Sequence, residues 1–454
     1  MIDRELLIVV LAAGKGTRMK SDVAKVLHPI AGLSMLGHVL ALARSLEAAR
    51  LAVVIGPGMD AVRDEVAALA PGATVHVQAD QLGTGDAVQA ARERIAGHRG
   101  DVLVLYGDTP LLRRETLTRM RAALGAGAGV AVLGFHAADP TGYGRLITTG
   151  QDGDLVAIRE HNDASAAERE VGFCNSGVLG FDGAHLPALL DAIGNDNAKG
   201  EYYLTDTVAI ARARGLTAVA LVCDESEVLG INDRAQLAEA EAIYQARART
   251  AAMAGGASMV APETVFLCHD TVLGRDVSIE PNVFFGPGVR LGDSVTIRAY
   301  SHLEGTTVQP GAVIGPFARL RPGAEIGPGA RIGNFVEVKQ SSLAEGAKVN
   351  HLTYIGDTTI GAGANVGAGT ITCNYDGFSK HRTEIGAGAF IGSNSALVAP
   401  VRIGAGAYVG SGSVISKNVA PEALALTRAK QTEREGWAGR YREVKLRAKR
   451  ENGE

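Results

Sequence analysis

The sequence predicts two unlike domains on one chain: an α/β, Rossmann-like domain with a parallel sheet, then, beyond a connecting helix, a left-handed parallel β-helix of hexapeptide repeats. Three observations predict it. Short apolar runs alternate with helical stretches over residues 1–231, a segment without Gly or Pro follows over 232–253, and within 254–454 aliphatic residues recur every six positions from Leu273 to Ile415.

The first grammar is that of βαβ units. Leu6–Leu11, Leu51–Ile55, Val102–Tyr106 and Val130–Phe135 read as buried parallel strands, and the segments between them carry helical periodicity. The Ala/Glu/Arg/Gln-rich stretch from Asp233 to about Met253 begins at an Asp cap and reads as one helix, about 30 Å long at 1.5 Å per residue. In the second grammar the series runs Leu273, Ile279, Leu291, Ile297, Leu303, slips by one residue, and resumes as Val308, Ile314, Leu320, Ile326, Ile332, Val338. A third block runs Ile385, Ile391, Leu397, Ile403, Val409, Ile415. A helix needs a period of 3.6, so a period of six with turn-forming Gly points to a coil in which each repeat buries one aliphatic side chain.

Composition bounds the rest. A chain of 454 residues exceeds what one core organises, and 58 glycines against 5% aromatics fit many repeated tight turns. A net charge of −4 speaks against a nucleic-acid binder. No eighteen-residue apolar run or leader pattern is seen, so the expectation is a cytoplasmic protein with no membrane span. Cys174, Cys223, Cys268 and Cys373 are scattered without a CxxC pair, which fits a reducing compartment.

Directly after the first strand stands Leu11-Ala12-Ala13-Gly14-Lys15-Gly16-Thr17-Arg18-Met19. Consecutive backbone N–H groups, two glycines allowing close approach and two neighbouring cations suit a polyphosphate. It is neither GxxxxGK[ST] nor GxGxxG. Asp108 follows the C-terminal end of a buried strand, where α/β sheets bind ligands, and a carboxylate there suits Mg2+.

These residues resemble the signature of sugar-1-phosphate nucleotidyltransferases. The ordered matches are LAAGKGTRM, Lys25-Val26-Leu27, Gln78, Gln81-Leu82-Gly83-Thr84-Gly85, Tyr106-Gly107-Asp108, Gly142-Tyr143-Gly144-Arg145, Glu160, Asn175-Ser176-Gly177 and Gly230-Ile231-Asn232. With the repeat domain, they resemble the bacterial bifunctional N-acetylglucosamine-1-phosphate uridylyltransferase/glucosamine-1-phosphate N-acetyltransferase family over nearly the whole chain. The resemblance implies that Leu11, Ala12, Ala13, Gly14, Tyr106 and Gly107 line the nucleotide site. It further implies that Asp108 and Asn232 hold Mg2+, Arg18 and Lys25 meet phosphates in catalysis, Gln78, Gly83 and Thr84 read the uracil of UTP, and Gly144, Glu160 and Asn175 hold the acetamido sugar.

In the repeat domain, Arg321 and Lys339 each follow an inward aliphatic residue and lie eighteen positions apart. With three hexapeptides per turn they stack about one strand spacing, ~4.8 Å, apart, which favours an anion beside them. His351 lies one coil on, where the repeat slips to five-residue steps. Attack of an amine on a thioester needs a base near pH 7, and an imidazole suits that. The family resemblance makes His351 the general base, Arg321, Lys339, Tyr354 and Asn365 the glucosamine-phosphate ligands, and Ala368, Asn374, Tyr375, Ser393, Ser411 and Arg428 the acetyl-CoA ligands. Ser411 departs from the Ala frequent there, which matters little for a backbone contact. Residues 373–382 interrupt the repeat, and solenoid insertions often form a binding loop. The tail from Arg428 to Arg450 carries nine Lys/Arg, read either as solvated surface or as an arm bringing an arginine to an anion.

The implied activity is acetylation of glucosamine-1-phosphate followed by uridylyl transfer, supplying precursor for peptidoglycan and lipopolysaccharide from a homotrimer. The alternatives are a single-activity sugar-1-phosphate nucleotidyltransferase with a regulatory or oligomerising β-helix, or a scaffold with vestigial sites.

Overall fold

A computed structural model describes residues 4–14, 16–149 and 154–452. The chain divides into two compact units, one running to Ala251 and including Leu267–His269, the other comprising Ala252–Phe266 and the residues from Asp270 on.

Among the described residues, the main sheet of the first unit has nine strands: β1 (Leu6–Leu11), β2 (Arg50–Ile55), β3 (Thr74–Val77), β4 (Asp101–Tyr106), β5 (Val130–His136), β6 (Arg145–Thr149), β7 (Asp154–Arg159), β8 (Phe173–Asp182) and β9 (Ala218–Val222). Their order across the sheet is β3-β2-β1-β4-β8-β5-β9-β7-β6. Successive residues of β1 feed opposite faces. Leu6, Ile8 and Val10 enter one core with Leu36, Val39 and Leu40, while Leu7, Val9 and Leu11 enter the other with Ala87 and Val88. Each such side chain contributes about 1.5–3 kcal/mol on burial.

One expectation needs correcting. The strands β1, β2 and β4 are mutually parallel, and β5 runs the same way and pairs in parallel with β9, but an unexpected strand separates β4 from β5. The ten-residue β8 lies between β4 and β5, antiparallel to both. Its sequence, FCNSGVLGFD, has no clean period because its register with β5 shifts between Asn175 and Leu179. The sheet is therefore mixed, and the irregularity falls on the Asn175-Ser176-Gly177 motif.

The helix expected after residue 232 spans Arg234–Ala254, and Asp233 caps it through Oδ1, which accepts from the N–H groups of Ala235 and Gln236. Its buried Ala240 joins Ile30, Met35, Leu111 and Ile231 in a third apolar cluster. Gln245, 2% exposed, exchanges two hydrogen bonds with the backbone of Leu267. This packing is why the first unit continues past residue 231 to Ala251.

The second unit is the β-helix. Val308 lies in register with Ile326 and Ile326 with Leu343, so one coil takes eighteen or seventeen residues. Three stacks of parallel strands result. Every member of the six-residue series except the half-exposed Leu273 is buried, and Phe285 fills the gap between Ile279 and Leu291. One corner shows why Gly recurs. Asp276, Ser294, Gly311, Gly329 and Gly346 occupy the same place on successive coils, all with φ between 56° and 71°. Only Gly adopts this left-handed turn without steric cost. Two nine-residue strands, Arg331–Lys339 and Lys348–Gly356, run around a corner where most repeats have short strands, and pair along almost their full length. Beyond them, Ile360 pairs with Ile385, a coil lengthened by the insertion.

Candidate functional site

The first constellation surrounds a cavity of about 320 Å³ at the C-terminal ends of β1 and β4, lined by Leu11–Gly14, Lys25, Gln78, Gly83, Thr84, Tyr106 and Asp108, together with Gln81 and Glu201. Backbone bonds from Ala12 N–H to Val54 O (2.7 Å) and Gly107 N–H to Leu11 O (2.9 Å) fix the loop mouths. Lys15 of the glycine loop lies outside the described residues. Gly16 has φ 62°, and a Cβ there would overlap the Lys25 side chain, so this glycine lets the loop close over Lys25.

Lys25 is buried, and its ammonium sits between Asp108 Oδ2 and Asn232 Oδ1, the latter at 3.2 Å. Asn232 is held by its N–H to Gln236 Oε1 (2.8 Å), and Ile231 N–H bonds Asp108 O (3.1 Å). Residues 124 positions apart are thus stitched together, and two hard oxygen donors converge on one cationic point. That donor set fits a hard divalent cation.

On one side, burial with the charges of Glu160 and Asp108 raises the Tyr106 pKa well above the usual phenol value, partly opposed by the Thr84 side chain. A Cβ at Gly177 (φ 87°) would strike its ring, so the β8 irregularity makes room for it. Gly144, Glu160 and Asn175 form a second cluster. Asn175 N–H bonds Gly144 O (2.8 Å), and a Cβ on Gly144 would lie 3.6 Å from Glu160 Oε1. Burial raises the Glu160 pKa, partly opposed by the Thr205 hydroxyl at 2.9 Å and by Lys199. Arg18 stands exposed on the turn Thr17–Met19 and does not line the cavity. Asp86 was missed by sequence reasoning. It bonds the amide of Gln78 and the N–H of Leu82.

The second constellation uses the two long strands and the insertion. Leu320 pairs with Val338, and Arg321 N–H bonds Val338 O (2.9 Å), which sets Arg321 one coil from Lys339. Glu337, unforeseen, takes the Arg321 guanidinium at 2.9 Å. The insertion adds a cation the sequence left unassigned. Lys380 meets Lys339, whose ammonium is the chief reason its pKa falls, and Asp357 and Tyr354 oppose that fall. The Tyr354 hydroxyl and the Asn374 amide crowd over Gly356, where a Cβ would come within 2.5 and 2.7 Å of them.

His351 is exposed on the neighbouring strand segment. Its Nδ1 lies 2.7 Å from Asn334 Oδ1, its register partner. An acceptor on Nδ1 requires N–H there and leaves Nε2 with its lone pair. Asn365 pairs with Lys348 and Phe390, across the corner from Tyr354. Ala368, Ser393, Ser411 and Arg428 form one column up successive coils: Asn394 N–H bonds Ala368 O (2.7 Å), Gly412 N–H bonds Ser393 O (2.8 Å), and the Arg428 guanidinium bonds Ser411 O (3.0 Å). Tyr375 stands 60% exposed on the insertion, pairing with Lys380.

A nucleotidyltransferase fold with a glycine-rich loop beside a cluster of oxygen donors, joined to a hexapeptide coil with a basic face and a histidine, defines a two-domain transferase. Residues 8–169 match the MobA-like NTP transferase domain, and residues 305–340 and 382–417 match the bacterial transferase hexapeptide (six repeats). The chain is 61% identical to the bifunctional protein GlmU of Xanthobacter autotrophicus over 99% of its length and all of that protein. It is 62% identical to that of Azorhizobium caulinodans over the same shares, and 59% identical to that of a Bradyrhizobium species over 98% of its length and 99% of the relative. The chain belongs to the GlmU family of bifunctional proteins.

Proposed function

We infer that this protein makes UDP-N-acetylglucosamine in two steps, acetylating glucosamine-1-phosphate with acetyl-CoA and then coupling the product to UMP from UTP with release of pyrophosphate. Residues 1–231 carry the second step, 232–253 connect, and 254–454 carry the first. The observation that supports two activities is that a chain related over its full length to bifunctional proteins carries two separate clusters of charged side chains, one at Lys25 and one at Arg321. A β-helix that only oligomerises leaves Lys339, Lys380 and His351 without a task.

In acetyl transfer, Arg321, Lys339 and Lys380 take the sugar phosphate, with Tyr354 and Asn365 on the sugar. His351 Nε2 accepts the proton as the amine attacks the thioester carbonyl, and CoA leaves as the thiol. The Ala368–Ser393–Ser411–Arg428 column, with Asn374 and Tyr375, holds acetyl-CoA. In uridylyl transfer, an ionised phosphate oxygen attacks the α-phosphorus of UTP and pyrophosphate departs, so the work is positioning and charge neutralisation. Lys25 and Arg18 serve the phosphates, Gln78, Gly83 and Thr84 the uracil, and Gly144, Glu160 and Asn175 the sugar. Asp108 and Asn232 hold Mg2+, which when bound offsets the charge of the triphosphate. No helix among the described residues is long and apolar enough to cross a membrane. The working form is a cytoplasmic homotrimer assembled through the β-helix, feeding cell-wall and lipopolysaccharide synthesis.

The test is one incubation with glucosamine-1-phosphate, acetyl-CoA, UTP and Mg2+, with the nucleotide sugar identified by mass. UDP-N-acetylglucosamine with matching CoA and pyrophosphate supports the inference. Free CoA never appearing overturns it.

A further inference from the structure

Gln78 lines the nucleotide cavity although only 6% of its surface is exposed. Its amide nitrogen donates to Gly83 O at 2.9 Å and to Asp86 Oδ2 at 2.8 Å. A carbonyl and a carboxylate can only accept, so both amide hydrogens are spent and the amide has one orientation. Turning it over would press its oxygen against two other oxygens. The carboxylate is itself anchored, since the same Oδ2 accepts from Leu82 N–H at 3.1 Å. Oε1 is therefore the polar atom that Gln78 offers a base, and it can only accept.

We propose that Asp86 is a positioning residue that locks Gln78 as an acceptor and thereby makes the nucleotide site select uracil over cytosine. The proposal rests on Gln78 reading the base. Uracil presents an N3–H donor, which Oε1 accepts. Cytosine presents a bare N3 at the same edge, which places two lone pairs face to face. A buried polar group left facing a like group discriminates more strongly than a missing apolar contact. Asp86 touches neither base nor phosphate in this scheme and acts through Gln78.

The experiment is steady-state pyrophosphate release by the full chain, with N-acetylglucosamine-1-phosphate and either UTP or CTP. Asp86→Ala frees the amide to turn, so the UTP-to-CTP ratio of kcat/KM falls at least about tenfold, mainly through the two KM values. Asp86→Asn keeps an acceptor oxygen and holds the ratio near that of the unaltered protein. Acetyl transfer by the same Asp86→Ala protein stays unchanged. A parallel fall with both nucleotides, leaving the ratio intact, marks Asp86 as merely structural and overturns the proposal. Gln78→Ala separates the two levels. If it abolishes the preference while Asp86→Ala does not, only the role of Asp86 falls. If neither changes the preference, the reading of Gln78 falls as well.

Discussion

Lys25 brings a full charge into a place where only 10% of its side chain is exposed, and its partners were both expected to hold a metal. An ammonium placed there must be compensated, and Asp108 is the compensation. Asp108→Ala therefore has two effects: pyrophosphate release falls by about two orders of magnitude or more, while CoA release continues, and the melting temperature of the first unit drops. Glu160 tests the second cluster through pH. Its folded pKa is raised, so between the ordinary carboxylate value and the folded one the native state binds more protons than the unfolded state. Stability is lost as pH rises through that window and does not return above it. Glu160→Gln should therefore melt above the unaltered protein at neutral pH, with the gap closing as pH approaches the ordinary carboxylate range. Its KM for N-acetylglucosamine-1-phosphate should meanwhile rise about tenfold.

The acetyl-transfer face depends on strand pairing. Asn334 and His351 are register partners on two long strands, so the tautomer of His351, the proposed base, is set by the neighbouring coil. Asn334→Ala should lower kcat for CoA release about tenfold and leave pyrophosphate release alone, while His351→Ala should remove acetyl transfer by about a hundredfold or more. The insertion is held by Asp376. Its carboxylate accepts from Phe378 and Ser379 N–H groups and pairs with His381, which together drive its pKa well below the usual range. Asp376→Ala should loosen Lys380, Asn374 and Tyr375 together, which would appear as raised KM for both acetyl-transfer substrates with little change in melting temperature. From sequence, the insertion is visible as broken periodicity, while the roles of Asn374 and Tyr375 come from the family resemblance. Lys380 was one charge among several there, and only folding of the loop sets it against Lys339.

At the scale of the whole chain, the first unit does not end where its strand–helix grammar ends. The helix from Arg234 covers the cluster of Ile30, Met35, Leu111 and Ile231, and the backbone of Leu267 closes on Gln245. A chain shortened to residues 1–231 should thus unfold at a markedly lower temperature than one ending at residue 269, as calorimetry would show. The sequence by itself determined the two architectures, because periods of two, 3.6 and six are dictated by backbone geometry and need no distant partner. It also located the loop at Gly14, the carboxylate at Asp108 and the histidine at residue 351, whose chemistry is local. Tertiary structure alone decided the antiparallel insertion of β8, the convergence of Asp108 with Asn232 on Lys25, the pairing of Glu337 with Arg321, and the grip of Asp86 on Gln78. Each of these depends on which segments become neighbours, and hydrogen bonds reach only about 3 Å, so they arise only once the chain has folded.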